Sequence, residues 1–195
     1  MSSAKERILR LTWGAMRGRE HPLPSMSEVA SACGISRQAL YLHFPSRAAL
    51  ITALVNHADG EMGLPEGIAA VEAAPDGPGK VRAWAQMQAN RNPRIAVLAR
   101  ALDDTRSRDE AAQAAWADRM GNRLRGATGI VMDLQHDGLV GRGWTDREAA
   151  LLLVEVLSFR VWDDLVIDAG IEPGRYVQIV TATALAALAA PIGGG

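Results

Sequence analysis

Residues Ser25 to Leu54 read SMSEVASACGISRQALYLHFPSRAALITAL, and this stretch decides how the first part of the chain folds. It predicts a short helix from Ser27 to Cys33 and a second from Ser36 to Phe44, with Gly34 at the turn between them. Glycine suits a sharp turn between two helices because it adopts positive φ without steric cost. The stretch therefore has the build of a helix-turn-helix.

The positions around that turn are restricted, and each restriction has a physical reason. Ala30 is small at the point where we expect the second helix to cross the first. Ser27 and Ser36 are predicted N-caps, because a serine side chain accepts a hydrogen bond from a free amide in the first helical turn. The predicted shared core of the two helices consists of Val29, Ile35 and Leu40.

The outward face of the second helix carries donor-rich side chains that suit DNA. Arg37 can bind a guanine through two hydrogen bonds, and Gln38 can bind an adenine in the same way. The side chains better placed to contact the sugar-phosphate backbone are Ser36, Tyr41, His43 and Arg47. The full set of candidate DNA-binding residues is Ser27, Ser36, Arg37, Gln38, Tyr41, His43 and Arg47.

The run from Gly34 to Leu50, GISRQALYLHFPSRAAL, resembles the TetR family of one-component repressors. The family signature is a Gly, a β-branched residue, Ser, a variable pair, then Leu-Tyr-x-His-Phe, with a Lys or Arg leading the fourth helix. The resemblance implies base-reading positions at residues 36–38 and a core position at Phe44. It also implies phosphate contacts at Tyr41, His43 and Arg47.

The resemblance covers the chain as far as Asp59, and beyond that residue only the length and the number of helices agree. One departure is the loop Arg19–Pro24, where this chain has REHPLP and the family commonly has a glycine and an aromatic residue. This departure leaves the role of the following Ser25 open.

Charge is distributed unevenly along the chain, whose formal net charge is −1 over 195 residues. Residues 1–58 carry seven basic and three acidic side chains, a net charge of +4, which leaves −5 for the remainder. Clustered Lys and Arg are attracted to phosphate backbones, so we expect only the first third of the chain to face an anionic partner.

Apolar residues recur at helical spacing almost throughout, and no sustained two-residue alternation is present. The predicted fold class is all-α, with a three-helix helix-turn-helix domain over residues 1–50. A larger helical domain over residues 51–195 is expected to follow, and the family resemblance implies that it binds a ligand and dimerises. Asn92 and Pro93 are predicted to start a helix, and the last two long helices are predicted over Asp146–Ala169 and Pro173–Ala190.

Large, adaptable apolar side chains lie on several predicted helices of the second domain. Methionine and tryptophan can line a pocket for an apolar or aromatic small molecule, although the same spacing also suits an ordinary hydrophobic core. The resemblance implies a ligand cavity among these helices. The candidate ligand-binding residues are Trp84, Met87, Trp116, Met120, Phe159 and Trp162.

The last two predicted helices are apolar around much of their circumference, so they need a partner on more than one face. The resemblance implies that they form a four-helix bundle with their copies in a homodimer. A dimer holds two recognition helices about 34 Å apart, which is the spacing of a palindromic site on double-stranded DNA. The expected partners are therefore a palindromic DNA operator, an apolar or aromatic effector and a second copy of the chain.

Composition weighs against several other classes of protein. Cys33 is the only cysteine, which excludes an intrachain disulfide and favours the cytoplasm. The apolar stretches are shorter than the roughly 20 residues that span a bilayer, so no membrane partner is expected. The histidines and Cys33 lack metal-ligand spacing, so we predict no metal, cofactor or catalytic residue.

The predicted function is a DNA-binding transcriptional regulator without enzymatic activity, specifically a repressor that a small-molecule effector releases from DNA. Two alternatives stay open at this point. The regulator could be an activator, or the chain could be an all-helical small-molecule-binding protein or enzyme whose N-terminal helices are structural.

Overall fold

A computed structural model describes residues 3–16 and 23–193, and within these ranges the chain is helical without any β-strand. The all-α prediction is therefore confirmed. A π-helical turn, Asp163–Asp168, follows directly on α9. The α-helices are α1 (Ala4–Met16), α2 (Met26–Cys33), α3 (Arg37–His43), α4 (Arg47–Glu61), α5 (Leu64–Glu72), α6 (Gly77–Thr105), α7 (Glu110–His136), α8 (Asp146–Val156), α9 (Phe159–Trp162) and α10 (Pro173–Ala189).

The chain packs as two compact units, and two long helices contribute to both of them. The first unit comprises Met1–Met62 and Arg94–Arg119, and the second comprises Gly63–Pro93 and Met120–Gly195. Helix α6 thus starts in the second unit and ends in the first, whereas α7 does the reverse. The predicted functional boundary after residue 50 falls inside α4 and stays a prediction.

The first unit has a core of apolar side chains from α1 to α4 and from the portions of α6 and α7 that belong to it. Cys33 is buried there with its thiol 3.8 Å from the Ile8 carbonyl, so it packs as a small hydrophobe. Each large side chain of such a core stabilises the fold by roughly 1.5–3 kcal/mol. Among the most buried members are Trp13, Leu40, Phe44, Leu50, Leu54 and Leu102.

The second unit has its own core, in which small side chains allow helices to approach closely. Ala149 and Ala150 of α8 and Ala184 of α10 are fully buried, and α8 packs on α10. Among the large buried side chains of this core are Trp84, Leu134, Leu153, Leu157, Trp162, Tyr176 and Leu188.

The loop before α8 binds the end of α10. The Gly141 amide donates to the Leu188 carbonyl over 2.8 Å, and the Trp144 indole donates to the Ala190 carbonyl over 2.9 Å. Glycine is required at position 141, because a Cβ there would lie 2.6 Å from the Ala189 carbonyl oxygen.

Two predicted boundaries were wrong. Helix α6 runs through Asn92 and Pro93 instead of starting there. Pro93 has no N–H to donate to the helix, but the packing of the buried residues Ala89 and Ile95 on either side outweighs the loss of that hydrogen bond. The helix predicted over Asp146–Ala169 is broken after Val156. The Ser158 side chain caps a new helix there by accepting a hydrogen bond from the Val161 amide.

Candidate functional site

The helix-turn-helix begins at Ser25, whose side chain caps α2. The Glu28 amide donates to the Ser25 hydroxyl over 3.2 Å, and the Ser25 amide donates to the Glu28 carboxylate over 2.8 Å. The expectation that Ser27 is the N-cap was wrong, because Ser27 lies one residue inside the helix and is exposed. The reciprocal pair needs a Glu or Gln three residues after the cap, which Ser25 has and Ser27 lacks.

The turn itself has the predicted geometry. Gly34 adopts φ 64° and ψ 33°, in the left-handed region, and its amide donates to the Ser31 carbonyl. The Ile35 amide closes the end of α2 on the Ala30 carbonyl over 3.0 Å. Ser36 then caps α3 by accepting a hydrogen bond from the Ala39 amide over 3.1 Å, as predicted.

One face of α3 anchors the helix in the core of the first unit. Leu40 is fully buried and Phe44, at the end of α3, is 1% exposed, so the predicted core role of Phe44 is confirmed. Val29 and Ala30 of α2 are buried on the same core, and Ile35 packs against it while partly exposed. This packing fixes the orientation of α3, because a helix of seven residues would not be stable alone.

The opposite face of α3 is open to solvent. Ser36, Arg37, Gln38, Tyr41 and His43 are all exposed. No side-chain hydrogen bond or ion pair within the described residues holds Arg37, Gln38, Tyr41 or His43 against the protein. The predicted DNA-reading side chains are therefore available to a partner.

Leu42 lies on the same exposed face and was missed by the sequence reasoning. It is 84% exposed, the highest value among the exposed large hydrophobic side chains of the described residues. Its position between Tyr41 and His43 could have marked it, because an apolar side chain on a recognition helix can contact the methyl group of thymine.

Arg47 has a different environment from the other candidates. Its guanidinium forms an ion pair with Asp109 and also donates to the carbonyls of Leu23 and Pro24, over 3.0 Å and 3.2 Å. The side chain is half-buried. The structure therefore gives Arg47 intramolecular partners that join the start of α4 to the start of α7.

Asp109 completes this contact from the other side. Its second carboxylate oxygen accepts hydrogen bonds from the amides of Ala111 and Ala112, so Asp109 caps α7. Burial raises the pKa of this carboxyl, but the hydrogen bonds from Arg47 and from the two amides outweigh burial and hold the pKa below its ordinary 3.8.

The candidate ligand-binding residues are divided between the two units. Trp116 lies in the first unit, where the Arg106 guanidinium is 4.8 Å from its ring centroid. The other five share the core of the second unit. Trp84 and Trp162 are buried there, and Met87, Met120 and Phe159 are partly buried.

A group of polar side chains lies in the second unit, where Arg123 is partly buried and the others are buried. The Gln88 amide and the Arg123 guanidinium both donate to the Leu157 carbonyl, over 3.1 Å and 2.8 Å. The rings of Trp162 and Tyr176 meet edge to face with centroids 5.0 Å apart. Asn92 lies one helical turn after Gln88 and is 1% exposed. The group that we call the α8-end cluster consists of Gln88, Asn92, Arg123, Trp162 and Tyr176.

Several polar atoms of this cluster have no hydrogen-bond partner within residues 3–16 and 23–193. They are Gln88 Oε1, Asn92 Oδ1 and Nδ2, Trp162 Nε1 and the Tyr176 hydroxyl. Leaving one such buried group unpaired costs about 1–3 kcal/mol. Burial raises the pKa of Tyr176 to about 12, although the charge of Arg123 acts in the opposite direction. The Tyr176 hydroxyl therefore keeps its proton at neutral pH and is a hydrogen-bond donor.

Other kinds of site find no support in the described part of the chain. No group of three or more His, Cys, Asp or Glu side chains there is arranged to hold a metal ion. Among the described helices, none combines the length and the apolar character needed to cross a membrane.

Comparison with known proteins identifies the helix-turn-helix. The family model for bacterial regulatory proteins of the tetR family matches residues 24–54, which include α2, the turn and α3. No curated protein sequence matches the chain. The predicted resemblance to the TetR family is confirmed by this match, which covers residues 24–54.

Solved structures share the fold over nearly the whole chain. A protein of Pseudomonas aeruginosa PAO1 described as a transcriptional regulator has a TM-score of 0.70 at 19% identity, covering 94% of this chain and 93% of that one. The regulator FadR of Bacillus subtilis, solved in complex with stearoyl-CoA, has a TM-score of 0.66 at 15% identity, with 96% and 98% covered. A TetR-family regulator of Streptomyces coelicolor has a TM-score of 0.63 at 18% identity, with 96% and 98% covered.

Proposed function

We propose that the protein is a homodimeric repressor that binds a palindromic operator through α3 and leaves it when a small molecule binds the second unit. The observation that carries the proposal is the row of exposed polar side chains on α3, whose other face is fixed in a core. In this proposal Arg37 and Gln38 contact base edges in the major groove, and Ser36, Tyr41 and His43 contact the backbone.

Arg47 and Ser27 have smaller roles in the proposal. Arg47 opens α4, where the first amides of a helix are free to meet a phosphate, but its own guanidinium is engaged with Asp109. Arg47 therefore acts by holding the start of α4 in place, with any phosphate contact made at the expense of the ion pair. Ser27 is exposed beside the α2 cap and is proposed as a further backbone contact.

Dimerisation is proposed through α8 and α10. Helix α10 presents a stripe of exposed residues at helical spacing, and most of them are small: Gln178, Ala182, Thr183, Ala186 and Ala189. Small side chains let a second helix approach closely, and Leu151 of α8 adds an exposed apolar side chain, 39% exposed. A two-fold dimer buries the same surface on both copies.

Release by an effector requires that the ligand bind two conformations of the dimer with different affinities. The core of the second unit supplies apolar and aromatic side chains that suit such a ligand. FadR, which has the same fold, was solved with stearoyl-CoA, so this architecture accommodates a small molecule in a regulator. We propose that the effector of this protein also has an apolar or aromatic portion.

The proposal is tested by fluorescence anisotropy with duplexes from the region upstream of the gene. Arg37→Ala is expected to weaken specific binding by about 1–3 kcal/mol and to relax the sequence preference at one base pair. Arg82→Ala is the matched control, because Arg82 is exposed on α6 in the second unit. Binding by the wild type that ignores sequence and salt would contradict the proposal, as would equal losses in both variants.

The direction of regulation is tested in the cell of origin by deleting the gene. A repressor predicts that transcription from the bound promoter rises on deletion and falls again on complementation. A fall on deletion would identify an activator and overturn that part of the proposal.

A further inference from the structure

We propose that the effector is an organic acid with an apolar body, and that its carboxylate is bound by Tyr176, Trp162 and Arg123 of the α8-end cluster. The inference rests on the proposed function, since it names the chemical class of the effector. It is carried by the buried polar atoms without partners, by the contact between the Trp162 and Tyr176 rings, and by the hydrogen bonds of Gln88 and Arg123 to the Leu157 carbonyl.

Two of the unpartnered atoms can donate hydrogen bonds. The Trp162 indole can only donate, and the Tyr176 hydroxyl carries its proton at neutral pH and can donate as well. The two rings are in contact, with centroids 5.0 Å apart, so both side chains belong to the same part of the core. A ligand that satisfies both must present acceptor oxygen atoms there.

Charge favours an anionic acceptor over a neutral one. The positive charge of Arg123 acts on the Tyr176 hydroxyl. Arg123 is held in position by the carbonyls of Val154 and Leu157, over 3.3 Å and 2.8 Å. A carboxylate suits a site that combines a cation with neutral donors, because hydrogen bonds to an ionised acceptor are shorter and stronger.

The remaining groups define the rest of the ligand. Gln88 Oε1 and Asn92 Oδ1 accept hydrogen bonds and have no donor among the described residues, which suits a hydroxyl or amide group on the ligand. The apolar body is expected to contact side chains of the same core, such as Trp84, Met87 and Phe159. The Trp84 ring centroid lies 5.4 Å from the Arg123 guanidinium, so the apolar and charged portions adjoin.

The test uses the full-length protein and matched probes that differ only in the head group. Linear acids of four to twelve carbons and phenyl-substituted acids are each compared with the corresponding primary alcohol and coenzyme A thioester, by isothermal titration calorimetry. At least one acid is expected to bind about tenfold more tightly than its alcohol and its thioester, as one charge-assisted hydrogen bond provides. Binding of no acid, or equal or tighter binding of the alcohol or thioester, overturns the proposal.

Two near-isosteric variants locate the site. Tyr176→Phe and Asn92→Leu remove the unpartnered groups, and Trp144→Phe is the control because its indole already donates to Ala190 in the same unit. Tyr176→Phe is expected to weaken acid binding about tenfold while the melting temperature of the ligand-free protein stays equal or rises. Unchanged acid affinity in Tyr176→Phe overturns the assignment. Asn92→Leu is titrated as well, so that the site is still tested if one of the two variants does not fold.

DNA binding is measured separately, so that the two proposals fail in different ways. Wild-type protein that binds its operator but ignores every acid overturns the effector class alone. Wild-type protein that binds an acid through Tyr176 but no DNA supports the acid site and contradicts the proposed regulatory function.

Discussion

Leu42 is an apolar side chain on α3 that is exposed to solvent. This exposure does not stabilise the fold. We predict that Leu42→Ala weakens operator binding by roughly 1 kcal/mol, because the contact with a thymine methyl group is lost. Leu139→Ala is the control, since Leu139 is 41% exposed in a loop of the second unit. Anisotropy titrations of the two variants check this, and an unchanged Leu42→Ala titration would remove Leu42 from the interface.

The ion pair of Arg47 with Asp109 gives a pH-dependent contribution to stability. The folded pKa of Asp109 is lowered below 3.8, so the pair stabilises the protein at higher pH, and this contribution is lost as the pH falls through the folded pKa. Asp109→Asn keeps an amide oxygen that can cap α7 but removes the charge. We predict that it lowers the free energy of unfolding by about 1 kcal/mol at pH 7.

Urea unfolding at pH 7 and at pH 3 measures this contribution. The difference between wild type and Asp109→Asn should shrink at the lower pH, whereas Asp104→Asn, an exposed neighbour on α6, should match wild type at both. An equal deficit of Asp109→Asn at both pH values would show that the charge contributes nothing and that only packing is lost.

The roles of some single residues could be predicted from the sequence, and those of others could not. The roles of Gly34, Ser36, Leu40 and Phe44 were predictable because each depends on neighbours within a few positions along the chain. The Arg47 contact was not, since Asp109 lies 62 residues away and no local pattern connects the two. The N-cap of α2 is Ser25 and not Ser27, because only Ser25 has a glutamate three residues later with which to form the reciprocal pair.

At the scale of elements, Gly34 determines how α2 meets α3. A side chain at residue 34 would have open space around it, so the cost of substitution comes from its positive φ alone. We predict that Gly34→Ala destabilises the protein by about 1 kcal/mol. Gly126→Ala, inside α7 and also in open space, should instead stabilise it by up to about 1 kcal/mol.

Thermal unfolding monitored by circular dichroism distinguishes these two substitutions. Opposite shifts of the melting temperature are expected, downward for Gly34→Ala and upward for Gly126→Ala. Shifts of the same sign would contradict the assignment of the left-handed turn as the constraint at residue 34.

Helix ends were less predictable than helices. Local signals suggested a start at Asn92 and Pro93, yet packing in both cores keeps α6 continuous through them. The break in α8 is held by hydrogen bonds from Gln88 and Arg123 to the Leu157 carbonyl, and both donors come from other helices. Such contacts depend on tertiary structure, so a sequence pattern cannot reveal them.

At the scale of the whole molecule, the proposed binding of a palindromic operator requires a dimer. We predict that Ala182→Arg, at the middle of the exposed stripe of α10, halves the mass measured by light scattering and weakens operator binding. Its physical reason is that two guanidinium groups would face each other across the two-fold axis. Ala69→Arg on α5 is also an exposed substitution and should leave the mass and the DNA affinity unchanged.

The core of the second unit contains polar as well as apolar side chains. The candidate ligand-binding residues are large apolar side chains, and most of them share one core. Gln88, Asn92, Arg123 and Tyr176 were missed because polar residues at helical spacing ordinarily face solvent. These residues come from three different helices, α6, α7 and α10, and only the folded chain brings those helices together.

Selection of bound duplexes from a random library measures whether α3 recognises a palindromic operator. We expect enrichment of inverted half-sites whose centres lie about one helical turn apart, roughly 34 Å, with the preference altered at one base pair of each half-site by Arg37→Ala. Recovery of no common sequence, or of a site that Arg37→Ala leaves unchanged at every position, would show that α3 does not read DNA as proposed.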